Sequence, residues 1–235
     1  MKKKNNEVPW NLVDVLKAVV ILLVLVIWNT FSKISLTVKS PSLAFKPLTV
    51  ALSMVFVYCI LLFWVWFFSV RKYRAPWESL GFTSFELWEG LKIGVVWLFV
   101  IKFLIFIYAM FAGKFGLRPS PETVEQIPRL FGSSLAGMML ATFTAAFIAP
   151  IVEEIFFRGF LYSAIKKKVG VGWAIIISAV IFGFMHANAW TIMPVIIIGV
   201  VLAYLYEREK SLGPPIILHA LNNLTSIIMV YYFYK

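Results

Sequence analysis

Two glutamates stand side by side in an apolar run of the chain, Ala149-Pro150-Ile151-Val152-Glu153-Glu154-Ile155-Phe156-Phe157-Arg158-Gly159. A carboxylate at lipid depth costs on the order of a few kcal/mol, so such a pair needs a partner or a purpose. Arg158 supplies one partner: at i and i+4 it shares a helical face with Glu154, with the acid toward the amino terminus, the preferred order. Glu153 projects about 100 degrees away and has no partner within its own helix. These residues alone support a buried ionic knot and a functional site equally. Histidine tips the balance. The chain has two, His186 and His219, and both lie in or at the end of apolar runs that follow the carboxylate helix. His219 and Asn223 are four apart, which puts imidazole and carboxamide on one face, and Phe182 stands in the same relation to His186, where it can pack against the ring. A carboxylate without a local cation, two imidazoles and an amide donor are the parts for activating water and stabilising an oxyanion.

Other chemistries fit less well. There is no GxxxxGK[ST] loop for phosphates, no HExxH pair for zinc and no CxxC pair. Glu153, His186 and His219 could form a catalytic zinc trio, an alternative ranked below metal-free water activation; no cofactor is expected, and a divalent metal stays open. Ser163, Ser178 and Ser226 are present, but none lies in a GxSxG context. The single Cys59 sits in an apolar run and reads as inert packing.

Elements that hold such a site must be membrane helices. The 235 residues are 61% hydrophobic and 14% charged, with a mean hydropathy of +0.89, an apolar surplus beyond what one soluble core of this length buries. Disorder, collagen-like repeats and a disulfide-stapled domain are excluded by the hydrophobicity, the aperiodic glycines and the lone cysteine. The expected fold is all-α, a polytopic bundle of about seven spans. They fall near Leu12 to Phe31, Pro47 to Val70, Leu87 to Phe111, Ser134 to about Ile165, Val171 to His186, Thr191 to Tyr206 and Pro215 to Tyr232. Within the third, Lys92 can snorkel and Lys102 needs a partner or a water-filled face. Residues Gly113 to Gly132 read as a loop with room for a short surface helix. Pro150 predicts a kink or break in the fourth span. Residues 1–133 and 134–235 form the expected amino-terminal and catalytic portions.

The net charge of +11 does not form a basic face with interleaved aromatics, so no nucleic acid is expected. The cations sit between apolar runs, eleven on one side and seven on the other when connections alternate. That bias predicts a cytoplasmic amino terminus in a cell membrane, with the lipid bilayer as the basic residues' partner. Lys2 to Lys4 resemble the start of a signal peptide, but no small-residue cleavage site follows the apolar stretch, so a retained first span is expected.

The run from Ala149 to Gly159 resembles the EExxxR signature of the CPBP intramembrane proteases, the group that includes CAAX prenyl endopeptidases and bacteriocin-processing or immunity proteins. Phe182 to His186 is similar to its FxxxH motif and His219 to Asn223 to its HxxxN motif. The likeness covers roughly Ser134 to Tyr232. It implies that Glu153 and His186 hold and activate the attacking water, that His219 and Asn223 form the oxyanion site, and that Glu154 and Arg158 are a supporting ion pair. The expected function is therefore an endopeptidase acting on a peptide or membrane-protein substrate in or near the bilayer. A non-catalytic scaffold or immunity-type protein, and a transporter with a Glu and His proton relay, are the rivals.

Overall fold

The computed structural model describes residues 8–21, 23–24, 47–186 and 189–233. Among them every regular element is helical, and there is no strand. Helix α1 covers residues 12–21 and 23–24, and the rest of the expected first span lies outside the described residues. α2 (Pro47–Trp66) runs on through a π-helical turn, Phe67–Arg71, and a 3-10 turn, Trp77–Leu80, leads to α3 (Leu87–Lys114). The segment expected to be a loop holds α4 (Pro121–Phe131). Its start is set by Ser120, whose hydroxyl accepts from the Thr123 amide, and by Pro121 in the first turn, where a missing N–H costs nothing.

A 50-residue apolar run follows, Leu135–Phe184. It comprises α5 (Leu135–Ala141), a π-helical stretch Thr142–Ile148, α6 (Ala149–Glu154), a second π-helical stretch Ile155–Tyr162, and α7 (Ser163–Phe184). Gly170, at φ 78° and ψ 176°, breaks α7, a backbone geometry open to glycine because it has no Cβ. The run therefore folds back as two passes, which matches the expected spans ending near Ile165 and starting at Val171. α8 (Ala189–Glu209) and α9 (Gly213–Phe233) complete the chain. Five described stretches are long and apolar enough to cross a membrane, and the Leu135–Phe184 stretch is long enough to do so twice.

Of the kink or break expected at Pro150, the break is absent, and a widened helical turn lies directly before the proline. Thr142–Ile148 is widened just before it, and the Ala149 amide reaches back five residues to the Thr144 carbonyl. One extra residue per turn relieves the clash that a proline ring otherwise makes with the preceding turn. The expectation for Cys59 is corrected, since it lies exposed on the outer surface of α2.

The passes pack around the long helix. Val15 and Ala18 of α1, Leu61 and Val65 of α2, and Val152 to Ile165 of the long helix share one core. On the other flank, Ile101 of α3 meets Leu202 and Leu205 of α8 and Leu218 of α9. Lys102 finds the partner its position demands, donating to the Ser226 hydroxyl of α9 at 3.4 Å. Lys92 pairs with Glu89 on an exposed face. The basic connections gather at one end. There the Trp10 indole donates to the Phe160 carbonyl at 3.0 Å and Lys167 to the Val8 carbonyl at 3.1 Å. Glu207 accepts from Tyr162 and Lys166, each at 2.8 Å. Asp14, which sequence reading passes over, is buried there, accepts from Tyr73 at 2.7 Å and pairs with Lys72. The hydrogen bond from Lys72 to Asp14 raises the ammonium above its ordinary pKa.

The 3-10 turn Trp77–Leu80 lies directly on the long helix at Gly159, where an added Cβ would stand 2.6 Å from the Leu80 carbonyl oxygen. Gly159→Ala is expected to destabilise the protein by about 1–3 kcal/mol through overpacking. Thermal unfolding in detergent checks this, and an unchanged midpoint would show that the turn moves aside freely.

Candidate functional site

Glu154 and Arg158 leave the long helix on one face, as their spacing requires, and meet at 2.9 Å, Nη1 to Oε1. Both are sealed from the surface, at 0% and 1% exposure. The pair meets end-on, since Glu154 Oε2 and Arg158 Nε have no hydrogen-bond partner among the described residues. Three further contacts complete the setting of the guanidinium. Its Nη2 donates to the Gly199 carbonyl of α8 at 3.2 Å, and its plane lies over the Phe182 ring at 4.6 Å and near Phe157 at 5.8 Å. Gly199 lets α8 come this close: a Cβ there would stand 3.1 Å from the Ala179 backbone.

Glu154 does more than pair with arginine. The same Oε1 accepts from Nδ1 of His219 at 2.8 Å. A carboxylate oxygen only accepts, so the proton lies on Nδ1, and the imidazole is held by its rear nitrogen with Nε2 facing Glu153. Nε2 stands 3.8 Å from Glu153 Oε2. The other oxygen of Glu153 accepts from the Tyr58 hydroxyl of α2 at 3.4 Å. Glu153 thus has its partners on α2 and α9, and its side chain is 19% exposed while that of His219 is 4%.

Asn223 projects from the same face of α9 one turn beyond His219. Its Nδ2 donates to the Ala145 carbonyl at 2.9 Å. That acceptor exists because of Pro150: the Ala149 amide is taken by Thr144, and proline has no N–H to reach Ala145. Asn222 donates weakly to Asn223 Oδ1 at 3.4 Å, and its backbone carbonyl accepts from Ser226 at 2.8 Å. A polar stripe therefore runs along α9 from His219 through Asn222 and Asn223 to Ser226 and Lys102.

His186 stands apart. Among the described residues no hydrogen bond or ion pair joins it to Glu153 or His219. Its Nδ1 donates to the Phe182 carbonyl at 2.9 Å, which leaves Nε2 as the acceptor of a neutral ring, and the side chain is exposed. Phe182 links the two imidazoles, edge-on to His186 at 4.9 Å and to His219 at 5.7 Å. In sequence the two are nonetheless matched about the turn: Glu154 lies sixteen positions before Gly170 and His186 sixteen after it. Phe157 against Phe182 at 4.8 Å fixes that register. Of the expected residues, the structure brings together Glu153, Glu154, Arg158, His219 and Phe182, sets Asn223 one turn away, and leaves His186 beyond the Phe182 ring. Among the described residues no three His, Cys, Asp or Glu side chains are grouped as metal ligands, so Glu153, His186 and His219 are not gathered into a trio. Tyr58 is the member that sequence reasoning misses. The one available signal is a phenol in an otherwise apolar stretch of α2, which needs a partner.

The family described as type II CAAX prenyl endopeptidase Rce1-like matches residues 135–225, which hold every motif residue. YdiL of Bacillus subtilis (strain 168), whose name describes a membrane peptidase, is 27% identical over 146 residues, 60% of this chain and 58% of that protein. The membrane-embedded CAAX protease MroQ of Staphylococcus aureus (strain USA300) is 30% identical over 65% of this chain and 57% of its own length. A UPF0177 protein of Lactococcus lactis subsp. cremoris, from the abiGi 5' region, is 31% identical over 68% of this chain and 76% of its own. The chain spans under three fifths of the first two relatives. No solved structure matches it.

Removing Arg158 takes the permanent cation from a sealed carboxylate and leaves it the His219 N–H as its remaining partner. Arg158→Met is therefore expected to destabilise the protein by about 3–5 kcal/mol, and Glu154→Leu with Arg158→Met to recover much of that loss. Denaturant unfolding in detergent micelles reads both variants; equal losses in the single and the double variant would show that the pair's charge is not what Arg158 stabilises.

Proposed function

We propose that the chain, which belongs to the CPBP family of membrane proteases, hydrolyses a peptide bond within or beside the bilayer using water activated by Glu153. The observation that carries this reading is the division of labour in exposure. Glu154, Arg158 and His219 are sealed, whereas Glu153, held by Tyr58 and facing His219, retains an open edge.

Charge balance supports a specific sequence of events. In this reading both glutamates are carboxylates, Arg158 is a cation and His219 carries a proton on each nitrogen, a set of charges that cancel, as membrane depth favours. Glu153 takes a proton from water as the water oxygen bonds to the peptide carbonyl carbon, and the carbonyl electrons move onto oxygen. One negative charge thereby leaves Glu153 and appears on the oxyanion, so the net charge does not change. His219 Nε2 donates to that oxyanion, with Glu154 holding the ring behind it, and the second amide hydrogen of Asn223 is the other donor. The C–N bond then breaks as Glu153 returns the proton to the amine nitrogen. His186 Nε2, an acceptor on the open side, holds the water's other hydrogen. This reading is metal-free and needs no cofactor.

The substrate is a peptide or a membrane-protein segment that reaches this depth, and the protein sits in the cell membrane with its basic end and amino terminus in the cytoplasm. The test compares new peptide termini, by mass spectrometry, in membranes from cells carrying the wild type or Glu153→Gln at matched levels. Termini that appear with the wild type alone, and vanish by at least about a hundredfold in the variant, are expected from the loss of a general base. Identical termini in both would leave the chain a scaffold.

A further inference from the structure

Tyr58 lies outside the family-matched residues and outside all three motifs, yet it touches the acid assigned to water activation. Its neighbours on α2 show that the contact is a built one. The hydroxyls of Ser53 on α2 and of Ser69 in the π-helical turn that continues it bond to carbonyls three and four residues back, while Tyr58 reaches across to a residue 95 positions away. A phenol carries a donor into an apolar segment, and that donor requires an acceptor; here the acceptor is Glu153 Oε1.

We infer that Tyr58 is a positioning residue for Glu153: by holding Oε1 it fixes the rotation of the carboxylate and directs Oε2 at the water and His219. The inference rests on the proposed role of Glu153 and deepens it. Without the phenol, Oε1 and Oε2 become interchangeable, and the carboxylate keeps one fixed neighbour, His219 Nε2 at 3.8 Å. At 3.4 Å the Tyr58 contact is long for an O–H···O bond, as befits one that tightens once substrate excludes bulk water. Tyr58 acts through Glu153, so its loss lowers the fraction of bound complexes with a correctly aimed base without changing how substrate binds.

The test uses the full chain in lipid nanodiscs and a synthetic peptide spanning the most abundant wild-type-only cleavage site. Tyr58→Phe is expected to lower kcat about tenfold and leave KM within about twofold, with an unchanged melting midpoint. In parallel, infrared difference spectra isolate the Glu153 carboxylate band by subtracting Glu153→Gln from its parent, once with Tyr58 intact and once in the Tyr58→Phe background; a shifted band is expected, and this arm needs no substrate. An unshifted band, an unchanged kcat beside an inactive Glu153→Gln, or a raised KM at constant kcat would each overturn the inference for Tyr58 alone. Full activity of Glu153→Gln would overturn the proposed function itself and the role of Tyr58 with it.

Discussion

An ionised side chain at bilayer depth persists only where its charge is balanced and its hydrogen-bonding positions are filled, and Glu154 is where the structure meets that demand. One of its oxygens accepts from both Arg158 and His219, which ties α9 to the long helix; Arg158 extends the tie to the α8 backbone at Gly199. Phe182 then packs against the guanidinium and both imidazoles, so the α7 pass is drawn to the same point. Four passes therefore converge on one ion pair. A hydrophobic contact between helices in lipid has little preference for a given register, because lipid tails are as apolar as leucine. A charge pair with directional donors does have one, and it sets the rotation of each helix about its axis.

Backbone irregularity serves the site in a second way. In a uniform α-helix the Ala145 carbonyl would be consumed within the helix. The widened stretch before Pro150, together with the missing proline N–H, releases it toward α9, where Asn223 takes it. That bond orients the carboxamide and uses one of its two hydrogens. A freed carbonyl in lipid is costly unless paired, so Pro150 and Asn223 are coupled though 73 residues apart. Substituting either leaves the other's local geometry without its reason.

Legibility in the sequence follows the range of the interaction. The i,i+4 relation of Glu154 and Arg158 is local and appears in the structure as expected, as do the spans, whose bounds depend on hydropathy summed over about twenty residues. The punctuation at Gly170 is readable because three lysines precede it and a fresh apolar run follows. An irregularity at Pro150 is readable but its form is not, because that depends on how the preceding turn adapts, and hydropathy carries no sign of it. Tyr58 is missed for a different reason: its phenol signals the need for an acceptor, but which residue supplies one is fixed by how α2 packs on α6, and nothing within α2 encodes that. Asp14 escapes notice since it sits at the very start of an apolar run, where an exposed acid would be unremarkable; its burial depends on Lys72 and Tyr73 arriving from the next connection.

The graded exposure across the cluster carries the functional argument further than the identity of its residues. If Glu153, Glu154, Arg158 and His219 formed a structural knot alone, nothing would favour leaving Glu153 with its edge open and its nearest cationic partner nitrogen at 3.8 Å. That distance is too long for a direct hydrogen bond and leaves the carboxylate underused as a structural partner. The rear pair is built in the opposite manner, with Glu154 fully sealed and its contacts at 2.8 and 2.9 Å. Rigid, sealed support behind an accessible acid is what the proposed mechanism requires, since there one charge leaves Glu153 and reappears on a substrate oxygen while the groups behind it stay in place. A transport relay would also need an accessible acid, but it would need a route onward from it; the polar stripe along α9 continues through the carboxamides of Asn222 and Asn223, which do not readily take up and release a proton.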